Sequence, residues 1–473
     1  MTKVLSSRGY NVLKVYLSPD ELETIKNELT VSPYVPEDYA QARPTPFKLY
    51  QESATRIYMP KYYGLKKFGE PDANKLFDGV EIDITFNGAL RANQEEPVAK
   101  YLAAARDPRR MGGIINMYCG GGKTGMAIYI MCVLKKKTLI VCHKDFLLQQ
   151  WKERIEQFTK GARIGMIKAK TIDVHDKDII LASLQSLSMK TYDEQIFHDV
   201  GFVVLDECHH LGAEVFSQAL KKVNFRYALG LSATVNRKDG LTKVFKWYLG
   251  DLVYKATKRQ DELHVKFMDF YDPNPTYSLE VKGYNNKLNV SRMINNICNY
   301  EPRAEYIVKT LEHVLKAEPL RKVIILSDRR NHLDMLQKKL TKYGFDSGFY
   351  VGGMRQDELK ASEEKQVILA TYHIAAEGFD CPGLDTLILA SPKSDVIQCV
   401  GRIQRTPQPL RKHVPLVLDI VDNFSLFSRQ AMKRFKYYES CKYTVEGKEL
   451  FQISSKQKIN LDGPCFLEDS NDC

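Results

Sequence analysis

"GIINMYCGGGKTGMAIYI", residues 113–130, decides how this chain is built. It reads as a buried apolar strand, a glycine-rich turn, Lys-Thr, and then an apolar helix. Glycines in such a turn let backbone N–H groups close around phosphate oxygens, and the helix N-terminus adds a favourable dipole. Cys119, Gly120, Gly121 and Gly122 line the loop, Lys123 reaches the β- and γ-phosphates, and Thr124 holds Mg²⁺ through its hydroxyl. The strict pattern has a glycine where Met117 stands, so the loop is a variant. A glycine-rich turn by itself is only a turn. With a strand before it, GKT within and a helix after, it predicts a nucleotide site.

Short apolar runs of the same kind follow along the chain: "TLIVCH" (138–143), "DIILAS" (178–183), "FVVLD" (202–206) and "YALGLS" (227–232). Uninterrupted apolar strands are buried on both faces, which predicts a parallel sheet wrapped by helices. "LLQQWKERIEQF" places Leu147, Trp151, Ile155 and Phe158 on one helical stripe, as core. The pattern restarts with "KVIILS" (322–327), "QVILAT" (366–371), "TLILAS" (386–391) and "VPLVLDI" (414–420). The expected fold class is α/β, with two tandem parallel-sheet lobes over 86–255 and 301–445. A polar linker over 256–300 joins them, and a tail runs over 446–473. Residues 1–85, rich in tyrosine and proline, read as a small accessory domain with few helical signals.

"VVLDECHHLG" (203–212) crowds two carboxylates, a cysteine and two histidines together. A zinc site would need about four ligands at suitable spacing, and no CxxC or HxxxH set lies nearby. Ligands of parallel sheets bind at strand C-terminal ends, so Asp206 and Glu207 emerge on the same edge as the phosphate loop. Asp206 is then placed for the Mg²⁺ hydration shell and Glu207 for the attacking water. Cys208 reads as a small core residue. His209 couples the γ-phosphate site to its surroundings, and His210 either shares that role or is structural.

The second lobe carries no GKT. Its "SDVIQCVGRIQR" reads as a helix N-capped by Ser394, with Gln398, Arg402 and Arg405 on one face. Two arginines together are a solvated face or arginine fingers toward the γ-phosphate, and opposite a phosphate loop the second reading is preferred.

The balance of 69 Lys+Arg against 58 Asp+Glu gives a net charge of +11, which favours a polyanionic partner, nucleic acid before membrane. Ten scattered cysteines read as reduced thiols of an intracellular protein. No apolar run nears the roughly 18 residues that span a bilayer, and the N-terminus has no secretory h-region. The expectation is a soluble monomer of cytoplasm or nucleus. "LKKKT" (134–138) reads as a solvated helix end. "YMPKYYGLKKFG" mixes Tyr58, Lys61, Tyr62, Tyr63, Lys66 and Lys67, which either stack bases and neutralise phosphates or form a small core.

The succession "GGGKT", "DECHH", "LSAT", "QCVGRIQR" resembles superfamily 2 helicases and translocases, from about Phe86 to Tyr443. "HKDFLLQQW", "LGLSATVNRKDG", "EGFDCPGLDTLILASP" and "DNFSLFSRQAMKRFKYYESCKY" look like the XPB-type and UvsW-like DNA helicases, including relatives in phages and large DNA viruses. The resemblance implies two RecA-like lobes with ATP between them, Mg²⁺ as cofactor, and 3′→5′ travel on forked, branched or transcribed DNA. RNA remains an alternative track, and an ATP-gated clamp without unwinding an alternative activity. Replication, repair or transcription partners would go with such a motor. It further implies that Gln94 reads the adenine edge with Arg91 nearby, Asn93 standing where the family has an aromatic. Ser232 and Thr234 would couple hydrolysis to lobe movement, and Gly378 and Asp380 would link nucleotide to nucleic acid. His143, Lys144, Gln185, Ser327, Arg329 and Thr371 fall where the family touches the nucleic-acid backbone.

Overall fold

In the computed structural model, residues 2–34, 44–118, 120–208, 212–233, 239–256, 261–283, 286–376, 379, 381, 383–406 and 408–452 are described. The chain divides into two compact units, Met1–Thr257 and Lys258–Cys473.

In the first unit the accessory sheet comprises β1 (Lys3–Ser6), β2 (Gly9–Leu13), β3 (Gln51–Glu52), β4 (Arg56–Met59) and β5 (Ala73–Asn74), in the order β3-β4-β2-β1-β5. Two helices accompany it, α1 (Pro19–Glu28) and α2 (Lys61–Phe68), where few helical signals were expected. Ser18 starts α1 with a complete capping box to Glu21 and Pro19 in the first turn.

This sheet does not stand apart. Its Leu5, Tyr10 and Ile57 share one apolar cluster with Leu139, Val203 and Phe216 of the first lobe. The tyrosine–lysine run turns largely inward to make that junction. Lys61 is buried and donates to the Arg226 carbonyl at 2.7 Å, and the Tyr63 ring meets the Trp247 ring edge-on at 5.3 Å. Lys67 and the Tyr63 hydroxyl both bond Glu28, Arg8 covers the Tyr58 ring, and Lys66 and Lys67 are the exposed members of the run. Residues 1–85 hold eleven Lys+Arg against twelve Asp+Glu, so the basic excess of the chain lies elsewhere.

The first lobe is built on β6 (Gly112–Asn116), β7 (Thr138–Cys142), β8 (Ile164–Lys168), β9 (Thr171–Asp173), β10 (Ile179–Ser183), β11 (Phe202–Leu205), β12 (Tyr227–Ser232) and β13 (Leu252–Lys255). Their order is β9-β8-β10-β7-β11-β12-β6-β13, parallel except for the β8–β9 hairpin. Every residue of β6, β7, β10 and β11 is buried, as two covered faces require. The covering helices are α3 (Ala92–Arg106), α4 (Lys123–Leu134), α5 (Asp145–Phe158), α6 (Leu184–Met189), α7 (Ala213–Leu220) and α8 (Thr242–Leu249). "LKKKT" is not a free helix end, since Lys136 pairs with Asp78 and Lys137 with Asp199.

The second unit holds a seven-stranded, wholly parallel sheet. Its strands are β14 (His264–Phe270), β15 (Val323–Ser327), β16 (Ser347–Tyr350), β17 (Val367–Thr371), β18 (Thr386–Leu389), β19 (Leu416–Asp422) and β20 (Thr444–Glu446). The order is β16-β17-β15-β18-β19-β14-β20. The expected linker over 256–300 needs correction here. β14 pairs with β19 along seven residues, and the helix α9 (Val290–Asn299) buries Met293 and Ile297 in the core of this unit. The polar "YDPNPTYS" lies between these two elements and disguised them. The helices α10 (Glu301–Ala317), α11 (Arg330–Lys342), α12 (Gln356–Glu363), α13 (Tyr372–Ala376), α14 (Ile397–Arg402) and α15 (Ser425–Ser440) complete the unit. β20, which crosses the expected start of the tail at 446, also belongs to this sheet.

Candidate functional site

Strand order brings the chemistry of the first lobe to one sheet edge. At the C-terminal ends of neighbouring strands stand Gln185 after β10, His143 and Lys144 after β7, Asp206 and Glu207 after β11, Ser232 closing β12, and the phosphate loop after β6.

The loop turns into α4 through Gly122, whose φ of 82° is left-handed and suits glycine. A side chain there would also strike Gln94, whose amide nitrogen would lie 2.1 Å from its Cβ. Met117, the departure from the strict pattern, is 1 % exposed and packs over Gly121. A Cβ on Gly121 would come within 2.4 Å of the Met117 side chain, so the bulk at one position makes the glycine at the other obligatory.

Gln94 starts α3 by accepting the Arg91 N–H at 2.8 Å, and its amide donates to the Gly122 carbonyl at 3.1 Å. The nitrogen end of the buried amide therefore braces the phosphate loop, and its oxygen end caps α3. Arg91 is the exposed N-cap of α3, and Asn93 bonds the Tyr118 hydroxyl of the loop at 3.1 Å.

Across the edge, Lys123 Nζ lies 3.0 Å from Glu207 Oε1. Glu207 adopts a φ of 46°, unusual for a residue with a Cβ, and such strain gathers at functional sites. Asp206 is buried, and burial pushes its carboxyl up to about 6, helped by the neighbouring Glu207 charge and opposed by Lys123. Its Oδ1 accepts the Glu207 N–H and its Oδ2 accepts the Trp151 indole N–H, both at 2.9 Å. A buried anion in this predicament is one that a cation would settle. With the Thr124 hydroxyl in the first turn of α4, the oxygen set suits Mg²⁺.

Trp151 was legible only as a core position, and its bond to Asp206 left no trace in the spacing. Among the described residues no three His, Cys, Asp or Glu side chains gather as a metal-binding group. Cys208 is buried in the apolar core. Cys119, His209, His210, Thr234, Gly378 and Asp380 lie outside the described residues.

The expected nucleic-acid contacts divide. Gln185 is exposed, and His143, Lys144, Arg329 and Thr371 are half-buried, with Lys144 capping α5. Ser327 is a correction. It is fully buried, bonded to His332 Nδ1 at 2.9 Å, and accepts the Arg329 N–H at 3.1 Å. It shapes the turn behind Arg329 and presents nothing to a ligand.

The arginine motif of the second unit also differs from expectation. α14 starts after Val396, not at Ser394, and stops at Arg402, so Arg405 lies beyond the helix and off its face. Gln398 is half-buried. Arg402 is buried and donates to the carbonyls of Ala375 and Phe379 at 2.7 and 2.9 Å, which fastens α14 to the end of α13 and to the chain after it.

A phosphate loop facing two carboxylates across a parallel sheet, in a chain with a second parallel-sheet unit, defines a nucleoside-triphosphate-driven motor. Residues 87–237 match the family described as Type III restriction enzyme, res subunit, and residues 306–407 match the Helicase conserved C-terminal domain. A protein of Acanthamoeba polyphaga mimivirus, named as an ATP-dependent RNA helicase, is 34% identical over 464 residues, covering 96% of this chain and 88% of its own. A protein of Escherichia phage T5, named as a helicase, is 28% identical over 341 residues, 69% of this chain and 71% of its own. The solved structure of S. cerevisiae Dbp5 bound to RNA and ADP BeF3 superposes with a TM-score of 0.50 at 13% identity, covering 78% of this chain and 97% of that one. The chain belongs to the superfamily 2 helicases, in a group with phage and large-virus members, and is an ATP-hydrolysing helicase that binds nucleic acid.

Proposed function

We propose that this helicase is a DNA translocase that moves 3′→5′ on forked, branched or transcribed DNA. The observation that carries its hydrolytic half is the Lys123–Glu207 ion pair beside Asp206, which joins phosphate loop and carboxylates at one spot. Loop N–H groups and Lys123 bind the ATP phosphates, with Gln94 holding the loop in shape. Thr124 and Asp206 hold Mg²⁺, which when bound offsets charge on the β- and γ-phosphates. Glu207 orients the attacking water and takes its proton. Arg405 stabilises the charge that develops on the γ-phosphate, while Arg402, bonded to the Ala375 and Phe379 carbonyls, holds α14 in place. Ser232 and Thr234 pass the change in the phosphate site onward.

His143, Lys144, Gln185, Arg329 and Thr371 grip the nucleic-acid backbone. Backbone grips position a strand without reading bases, as travel along any sequence requires. Charge supports the polyanionic track, because the net +11 of the chain arises entirely after residue 85. A second reading, RNA as the track, is favoured by the name of the mimivirus relative.

Strand displacement by the full chain, on forked DNA and on matched RNA duplexes, tests the proposal. ATP-dependent displacement of DNA supports it. Displacement of RNA alone would transfer the activity to RNA, and stimulated hydrolysis without displacement of either would make the protein a clamp.

A further inference from the structure

We propose that Trp151 is a positioning residue of the ATPase site, holding the Asp206 carboxylate in the orientation from which it receives Mg²⁺-bound nucleotide. The inference rests on the reading of Asp206 as the magnesium carboxylate.

Trp151 is the largest of the fully buried side chains and sits in the middle of α5. Its neighbours on the stripe, Leu147, Leu148 and Ile155, need only apolar contact and get it from the underside of the sheet. An indole there satisfies the same packing, but it also brings an N–H that must find an acceptor once buried. That acceptor is an ionisable carboxylate on another element, Asp206 Oδ2, at 2.9 Å.

The opposite oxygen, Oδ1, is held by the Glu207 N–H. Bonds on both oxygens fix the carboxylate plane, and each oxygen keeps a lone pair for a metal-bound water. The backbone bond holds one oxygen against rotation about Cβ–Cγ, and among the described residues only the indole supplies a second point. Groups that orient a metal's carboxylate from behind typically set about 10- to 100-fold of metal affinity.

The test separates magnesium dependence from nucleotide binding as such. The affinity of a fluorescent ADP analogue is measured in Mg²⁺ and in EDTA for the native full chain, Trp151→Phe and Asp206→Asn, with thermal unfolding of each. The proposal expects Trp151→Phe to bind normally in EDTA and to lose roughly tenfold or more of the tightening that Mg²⁺ gives. Asp206→Asn should lose that tightening altogether. Full tightening in Trp151→Phe, with loss in Asp206→Asn, overturns the role of Trp151. Full tightening in Asp206→Asn overturns the reading of Asp206 itself.

The chain has two tryptophans, Trp151 and Trp247, so a Trp247→Phe background leaves one reporter inside the site. Its emission should change when ADP arrives with Mg²⁺ and not when ADP arrives in EDTA. Identical spectra in the two cases overturn the proposal even if Trp151→Phe does not fold.

Discussion

Replacing Glu207 with glutamine should slow hydrolysis and tighten nucleotide binding at once. The slowing follows from losing the group that takes the proton from water, which typically contributes about 10²–10⁴ in rate. The tightening follows from the Lys123–Glu207 pair at 3.0 Å, whose side chains are 11 and 20 % exposed. A pair that well screened from water is stronger than a surface pair, and about 1–2 kcal/mol is a fair figure for its charge-assisted bond. Phosphates must draw Lys123 away from that partner when they bind. A neutral glutamine holds the ammonium less firmly, so affinity should rise by about 5- to 30-fold. Equilibrium titration with a fluorescent ATP analogue reads the affinity, and single-turnover hydrolysis reads the rate. Undiminished turnover would refute the role of Glu207 in the chemistry. Lost turnover with unchanged affinity would refute the competition for Lys123.

Gln94→Ala removes the bond to the Gly122 carbonyl that braces the phosphate loop, worth about 0.5–1.5 kcal/mol, and should weaken ATP binding by about 2- to 10-fold in an equilibrium titration. Arg405→Ala should bind ATP normally and hydrolyse it about 10³–10⁵ more slowly, and an unaffected kcat would remove it from the site. Lys61→Met should flatten the pH dependence of stability. Burial lowers the Lys61 ammonium to about 7, so the native chain carries a penalty that is full below that pH and is relieved as pH rises toward the unfolded value near 10. The rings of Tyr62 and Phe225 that face the ammonium at 4.6 and 5.1 Å offset part of it, and melting curves from pH 7 to about 10 should still rise for the native chain and not for the variant.

Parallel strands were readable because burial on both faces writes itself as unbroken apolar runs such as "TLIVC" and "FVVL". β14, "HVKFMDF", alternates instead, which reads as polar linker although the strand completes the second sheet. The accessory helix α1 carries its own start signal in Ser18, Pro19 and Glu21, within a region otherwise dominated by tyrosines and prolines. The arginine motif shows the limit of spacing arguments. Gln398 and Arg402 obey helical periodicity, but α14 is six residues long and ends before Arg405, which no pattern of i and i+4 reveals. The Trp151–Asp206 bond joins residues 55 positions apart, and sequence carries no signal for a contact that only strand order creates.

The most direct measurement is steady-state ATP hydrolysis by the full chain, alone and with forked DNA, duplex DNA, single-stranded DNA or RNA. Hydrolysis should be slow for the protein alone, strongly stimulated by forked or single-stranded DNA, and not stimulated in Glu207→Gln. Hydrolysis indifferent to every nucleic acid, or undiminished in Glu207→Gln, would contradict the proposed mechanism.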